Sequence, residues 1–177
     1  MKTSANRILV VEDSEPFRKF VCSTIGKRPE WQIVAVVADG LDAVQTAERL
    51  RPDVILLDIG LPSLNGIEVA RRIRRLSTDC KILFVSLESS AEIVEEAFDT
   101  GAHGYVVKTD AGAELLEAVD AVLRGKQFVG ERFSGHHFIC ASHAAGAPDL
   151  QSEEGYAQLP ENTGIAHRHD MASYFGD

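Results

Sequence analysis

The stretch VILLDIGLPSLNG, residues 54–66, decides how the chain is read. Four apolar residues, Val54–Leu57, are closed by Asp58, and a turn containing Gly60 and Pro62 leads into a helix expected over Asn65–Leu76. Ile67, Ala70 and Ile73 fall on one face of that helix. An unbroken apolar run is what a strand covered on both faces needs, whereas a half-exposed strand would alternate. The same strand-then-helix unit recurs on both sides. Upstream, Arg7–Val11 is a short apolar run, and Ser14 is an N-cap candidate for a helix carrying Phe17, Phe20, Val21 and Ile25. Trp31–Ala38 is β-branched, and Asp39-Gly40 turns the chain into a helical stretch over Leu41–Leu50. Downstream, Lys81–Val85 is a further strand, and Ser89-Ser90 cap a helix that runs to Thr100 and stops at Gly101. Tyr105–Val107 is the fifth strand, followed by a helix over Ala111–Arg124 that ends at Gly125.

Strands and helices alternating in this way specify a parallel sheet with right-handed crossovers. The expected fold is α/β, a doubly wound five-stranded parallel sheet with helices on both faces, over residues 6–125. The remainder, 126–177, reads as an irregular tail or linker, or as the start of a further domain beginning near His167. It has no helical period, and Ala144–Gly164 reads as a flexible linker. Yet it holds half of the aromatic residues, including Phe128, Phe133 and Phe138. Disordered segments are poor in aromatics, so parts of this tail are expected to pack on the domain or on another subunit.

Composition narrows the function. The chain has 18 basic and 27 acidic residues, a formal charge of −9. That opposes direct nucleic-acid binding, which usually relies on a basic face. No apolar run is long enough to span a bilayer, and the polar Met1–Arg7 is not followed by a signal-peptide core. A cytoplasmic location with no membrane contact is expected. Cys22, Cys80 and Cys140 form no metal-binding spacing and read as reduced thiols.

In a doubly wound sheet, ligands bind beyond the carboxyl ends of the strands. The residues closing those strands are Glu12-Asp13, Asp58, Ser86 and Lys108. Three carboxylates brought together repel one another unless a cation neutralises them. A hard ion with oxygen ligands, Mg²⁺ above all, suits the set. Carboxylate, divalent ion, ammonium and hydroxyl together also make a phosphoryl-transfer arrangement. Taken singly, Asp13 could cap a helix, Asp58 a turn, and Lys108 could be a surface lysine. Five polar residues at the ends of four strands are hard to obtain that way.

Residues 6–125 resemble the response-regulator receiver domain of two-component signalling. VVED (Val10–Asp13), LLDIGLPSLNG (Leu56–Gly66), FVS (Phe84–Ser86) and GAHGYVVK (Gly101–Lys108) carry the resemblance. In style the chain is most similar to NarL/LuxR-type receivers. The resemblance implies a CheY-like sheet of order 2-1-3-4-5. It also implies Mg²⁺ held by Glu12, Asp13, Asp58 and the backbone carbonyl of Gly60. Asp58 is then the phosphoacceptor from a sensor histidine kinase, with Ser86 and Lys108 on the phosphoryl oxygens. Tyr105 moves inward with Ser86, and the face of the fourth helix, fifth strand and fifth helix changes its partner. The implied partners are a downstream protein or an output domain, with homodimerisation through that face. Such a domain is a signalling switch rather than an enzyme acting on other molecules.

Two readings compete: a pseudo-receiver that docks or dimerises without phosphorylation, and a Mg²⁺-dependent phosphatase or phosphotransferase acting on small molecules. The chain departs from the family pattern at Gly60, where a side chain usually influences donor access, and at Leu87, where Ala or Gly is usual. Leu87 is expected to narrow the approach to Asp58. Thr109 stands in place of the common Pro after the lysine. Outside the strand ends, Arg71, Arg72, Arg74 and Arg75 read as a solvated helix face. His103 reads as a loop residue, and His136, His137, His167 and His169 lack a spacing that would fix a metal.

Overall fold

The computed structural model describes residues 5–76, 79–136 and 138. Strands and helices alternate: β1 (Asn6–Val11), α1 (Glu15–Ile25), β2 (Trp31–Val37), α2 (Gly40–Leu50), β3 (Val54–Leu57), α3 (Gly66–Arg75), β4 (Lys81–Ser86), α4 (Ala91–Asp99), β5 (Gly104–Val107) and α5 (Ala111–Leu123). A two-residue strand, β6 (Phe128–Val129), and a 3-10 turn over Glu131–Phe133 follow. The sheet order is β2-β1-β3-β4-β5-β6, with every pair parallel.

The continuous apolar runs are explained by two cores, one on each face. Leu9 and Val11, Ile55 and Leu57, and Ile82 and Phe84 point to the side of α2, α3 and α4. Ile8 and Val10, Val54 and Leu56, and Leu83 and Val85 point to the side of α1 and α5. Each such side chain, fully buried, contributes about 1.5–3 kcal/mol relative to exposure, so neither face of the central strands tolerates a polar residue before the strand ends.

Helix starts follow local chemistry. Asp39 accepts from the Leu41 amide at 2.8 Å, Asn65 from Glu68 at 2.9 Å and Ser90 from Ile93 at 3.4 Å. Ser14 departs from expectation. It stands at the N-cap position of α1 but its side chain makes no capping bond. Its amide instead donates to Glu12 Oε1 at 3.0 Å.

Two further expectations are corrected. The sheet has six strands, because the chain after Gly125 adds β6 beside β5: the Phe128 amide donates to His103 O at 3.0 Å, and Gly130 to Tyr105 O at 3.2 Å. Two residues are too few to show a strand period. The tail is therefore not irregular throughout, and Phe133 and Phe138 pack with the α4 side of the core. The basic face of α3 is not uniformly solvated either. Arg71 pairs with Glu96 at 2.9 Å and Arg72 with Glu68 at 3.3 Å, but Arg74 turns inward. Its guanidinium donates to Cys80 O and Gly101 O and lies 3.0 Å from His103 Nδ1. Arg74 thereby ties α3 to the turn that precedes β5. His103 is half-buried in this tie rather than a free loop residue.

Cys80 is buried, and that burial pushes its thiol up to about 12, which makes it unreactive. Among the described residues no helix is long and apolar enough to cross a membrane. Cys140, the 144–164 stretch, and His137, His143, His167 and His169 lie outside the described residues.

Candidate functional site

The carboxyl ends of β1, β3, β4 and β5 bring the expected groups to one edge of the sheet. Glu12 follows β1 directly, and its amide bonds to Val37 O, the end of β2, at 3.0 Å. Asp58 follows β3, with its amide on Val11 O at 3.0 Å. Backbone pairing to the neighbouring strand thus fixes where each carboxylate emerges. Ser86 closes β4, and Lys108 follows β5 with its amide on Ser86 O at 2.8 Å.

The central interaction is a three-way ion contact. Lys108 Nζ lies 2.8 Å from Asp58 Oδ2 and 2.8 Å from Glu12 Oε2. The Lys108 side chain is only 8% exposed, so these charges meet largely out of water. Asp58 Oδ1 accepts from the Ile59 amide at 2.7 Å. Asp13 completes the group from the solvent side: one oxygen from each of Glu12, Asp13 and Asp58 fits within 4.8 Å. Glu12 and Asp58 are buried and Asp13 is exposed.

Burial raises the Glu12 carboxyl above its ordinary value; the hydrogen bond from Lys108 opposes this, and the Asp58 charge adds to it. Burial alone would push the Lys108 ammonium down. Its hydrogen bonds to Asp58 and Glu12 outweigh that and hold it above its usual value. Lys108 therefore stays charged throughout the physiological range.

Gly60 lies beside Asp58: a Cβ placed on it would come no nearer than 3.9 Å to any atom outside its chain neighbours, and that atom is Asp58 Oδ2. The approach is open on this side. Gly66 is the opposite case. Its Cβ would fall 2.0 Å from Asp58 O, so only glycine lets α3 start against the Asp58 backbone. Gly66→Ala is expected to cost about 1–3 kcal/mol, read as a lower urea midpoint at unchanged slope.

Tyr105 is fully buried, and its Oη donates to Glu88 O at 3.0 Å, in the loop after Ser86. The ring is thus held inside the fold. Glu88 also donates its amide to Ser86 Oγ at 3.4 Å. That loop therefore links the Ser86 hydroxyl to the Tyr105 ring.

Reading by residue type missed several participants. Phe17 carries the Lys108 ammonium 4.8 Å above its ring, where a helical stripe suggested only core packing. Arg18 Nη1 donates to the carbonyls of Glu12 and Asp13, at 2.9 and 3.1 Å, and so braces the acidic turn. The Ile59 amide and the Glu88 carbonyl are backbone groups, and no residue type announces them.

A family model, the response regulator receiver domain, matches residues 8–120. The chain belongs to this family. It is 35% identical over 133 residues to the transcriptional regulatory protein DegU of Brevibacillus brevis, covering 75% of this chain and 56% of that protein. It is 32% identical over 124 residues to the nitrate/nitrite response regulator NarL of Escherichia coli, covering 70% and 57%. The chain thus spans about half the length of these curated relatives. Among solved structures it is similar to a LuxR-family two-component response regulator from an Aurantimonas species. That match has a TM-score of 0.71 and 30% identity, covering 81% of this chain and all of the other. A second match is the response-regulator domain of Thermotoga maritima CheB, with a TM-score of 0.63 and 33% identity, covering 68% and 97%. The receiver fold and the NarL/LuxR-type affinity expected from the motifs are both borne out.

As a response-regulator receiver, the domain offers a donor set that suits Mg²⁺. The oxygens are hard carboxylates, two of them buried and held, and one at the solvent edge where water can complete a coordination shell. Among the described residues no nitrogen or sulfur ligand joins this cluster, so nothing in it favours a softer metal.

Proposed function

We propose that this receiver takes a phosphoryl group on Asp58 from a sensor histidine kinase. The observation that carries the reading is Lys108 Nζ seated between Asp58 and Glu12 at 2.8 Å from each. A nucleophilic carboxylate that must bind an anionic group needs a fixed cation beside it, and this ammonium is fixed from two sides. Asp58 attacks phosphorus as the bond to the donor nitrogen breaks. Lys108 and the Ser86 hydroxyl then hold the phosphoryl oxygens. Glu12, Asp13, Asp58 and the Gly60 carbonyl would hold Mg²⁺, which supplies charge neutralisation for that transfer.

The change is read on the face of α4, β5 and α5, by way of Ser86, Glu88 and Tyr105. The partner is a downstream protein or an output domain of the same regulator, as the length of the relatives suggests, and homodimerisation on that face is part of the reading. The net charge of −9 supports a protein partner over direct nucleic-acid contact, and a cytoplasmic site of action belongs to the same reading. The test is the intact mass after incubation with a small phosphodonor and Mg²⁺.

One observation favours a second reading, a docking module independent of phosphorylation: Phe133 and Phe138, beyond β6, pack against the α4 side of the domain. Phosphodonor kinetics separate the two. Leu87 is 69% exposed at the end of β4, next to Ser86. If it narrows the approach to Asp58, Leu87→Ala speeds phosphoryl uptake a few-fold. Stability stays unchanged, because so exposed a side chain contributes little burial. Equal rates in both proteins, followed by mass spectrometry, rule out a barrier at Leu87.

A further inference from the structure

Over residues 126–136 the chain stays on the domain. β6 covers the edge of β5, and the turn after it carries Phe133 into the core, where it is 4% exposed. Phe133 stands edge-on to Tyr105, with ring centroids 6.2 Å apart. Phe138 stacks on Phe98 of α4 at 5.3 Å. On the other side α5 clamps the segment. Glu114 Oε1 accepts from the Glu131 amide at 3.0 Å, and Arg132 pairs with Asp110 at 3.1 Å.

We propose that the segment from Phe128 to His136, with Phe138, is a resident ligand of the α4–β5–α5 face, and that its docking and the phosphoryl group on Asp58 stabilise one another through Tyr105. This rests on the reading of Asp58 under Proposed function. The Tyr105 ring packs against Phe84 at 6.1 Å and edge-on to Phe133, and its Oη donates to Glu88 O. Turning the ring away from Glu88 breaks that bond and the edge-on contact with Phe133 together. A docked Phe133 therefore favours the inward tyrosine. A phosphoryl group that draws Ser86 toward Asp58 favours the same position, through the loop that links Ser86 Oγ, Glu88 and Tyr105. Two events that favour one conformer strengthen each other by the same factor. The surface shown to a partner is then the outside of this segment rather than a bare groove between α4 and α5.

The test uses the full chain with Mg²⁺ and beryllofluoride, a phosphoryl mimic, followed by hydrogen–deuterium exchange of the Phe128 and Gly130 amides. Protection of both is expected to rise about fivefold or more on beryllofluoride binding, the low end of common coupling factors. Phe133→Ala should weaken beryllofluoride binding by the same factor, about fivefold, and Phe133→Leu should restore part of it. Arg132→Ala, at an exposed clamp that cannot unfold the core, should act in the same direction more weakly. Phosphoryl uptake on Asp58 with unchanged amide protection overturns the coupling and leaves the receiver reading intact. Protection that falls overturns it too, since the segment is then displaced. Absence of both phosphoryl uptake and beryllofluoride binding removes the receiver reading, and the coupling with it.

Discussion

Incubated with a small phosphodonor and Mg²⁺, the wild-type chain is expected to gain the mass of one phosphoryl group, and Asp58→Asn none. The substitution is nearly isosteric, so the fold and the backbone pairing of Asp58 to Val11 O survive. What disappears is the negative oxygen that attacks phosphorus. The amide is a poor nucleophile, and its NH₂ cannot accept from Lys108. The added mass should be lost on treatment with hydroxylamine, as expected for an acyl phosphate. A phosphoryl group that persists in Asp58→Asn places the acceptor elsewhere and sinks the assignment. No mass gain in either protein, repeated in Leu87→Ala, turns the choice toward the docking module.

The order of strands and helices was legible because both faces of the sheet are covered. That demand makes Val54–Leu57 and Lys81–Ser86 apolar almost without interruption, so a polar residue signals a strand end. Asp58 and Lys108 stand out for that reason, and the structure brings them to 2.8 Å. What stayed hidden was of two kinds. Some of it is backbone: the Ile59 amide on Asp58, the Glu88 carbonyl on Tyr105, and a strand of two residues at Phe128–Val129. The rest depends on which way a side chain turns. Arg74 has the same charge as Arg71, yet one lies in the fold and the other pairs with Glu96 at the surface. Ser14 is a good cap by type but its side chain makes no capping bond, and Pro16, two residues on, has no amide to offer it. Residue type gives the capacity for a contact, and the competition among neighbours decides it.

The second large effect is expected from Lys108→Ala. In the wild type one ammonium answers two buried carboxylates, and removing it leaves Glu12 and Asp58 facing each other with Asp13 nearby. Breaking a buried pair on one side costs about 3–5 kcal/mol. Water and Asp13 at the solvent edge place this site at or below the low end of that range. The loss should depend on pH in a defined direction. Glu12 already has its carboxyl raised above the ordinary 4.5, and without Lys108 it rises further. A carboxyl raised in the folded state destabilises progressively as pH climbs from the unfolded value, and the penalty vanishes below it. The gap between variant and wild type, read from urea midpoints, should therefore be widest near neutrality and shrink toward pH 5. Lys108 itself gains from folding below 10.5 and loses that gain only as pH rises through its higher folded value, so it adds no slope between those two conditions. Mg²⁺ should narrow the same gap at neutral pH, because a divalent cation among the three carboxylates replaces the missing charge. A variant that melts with the wild type at every pH, with or without Mg²⁺, would show that Lys108 does not neutralise the acidic edge. Phosphoryl binding at Asp58 would then need another cation.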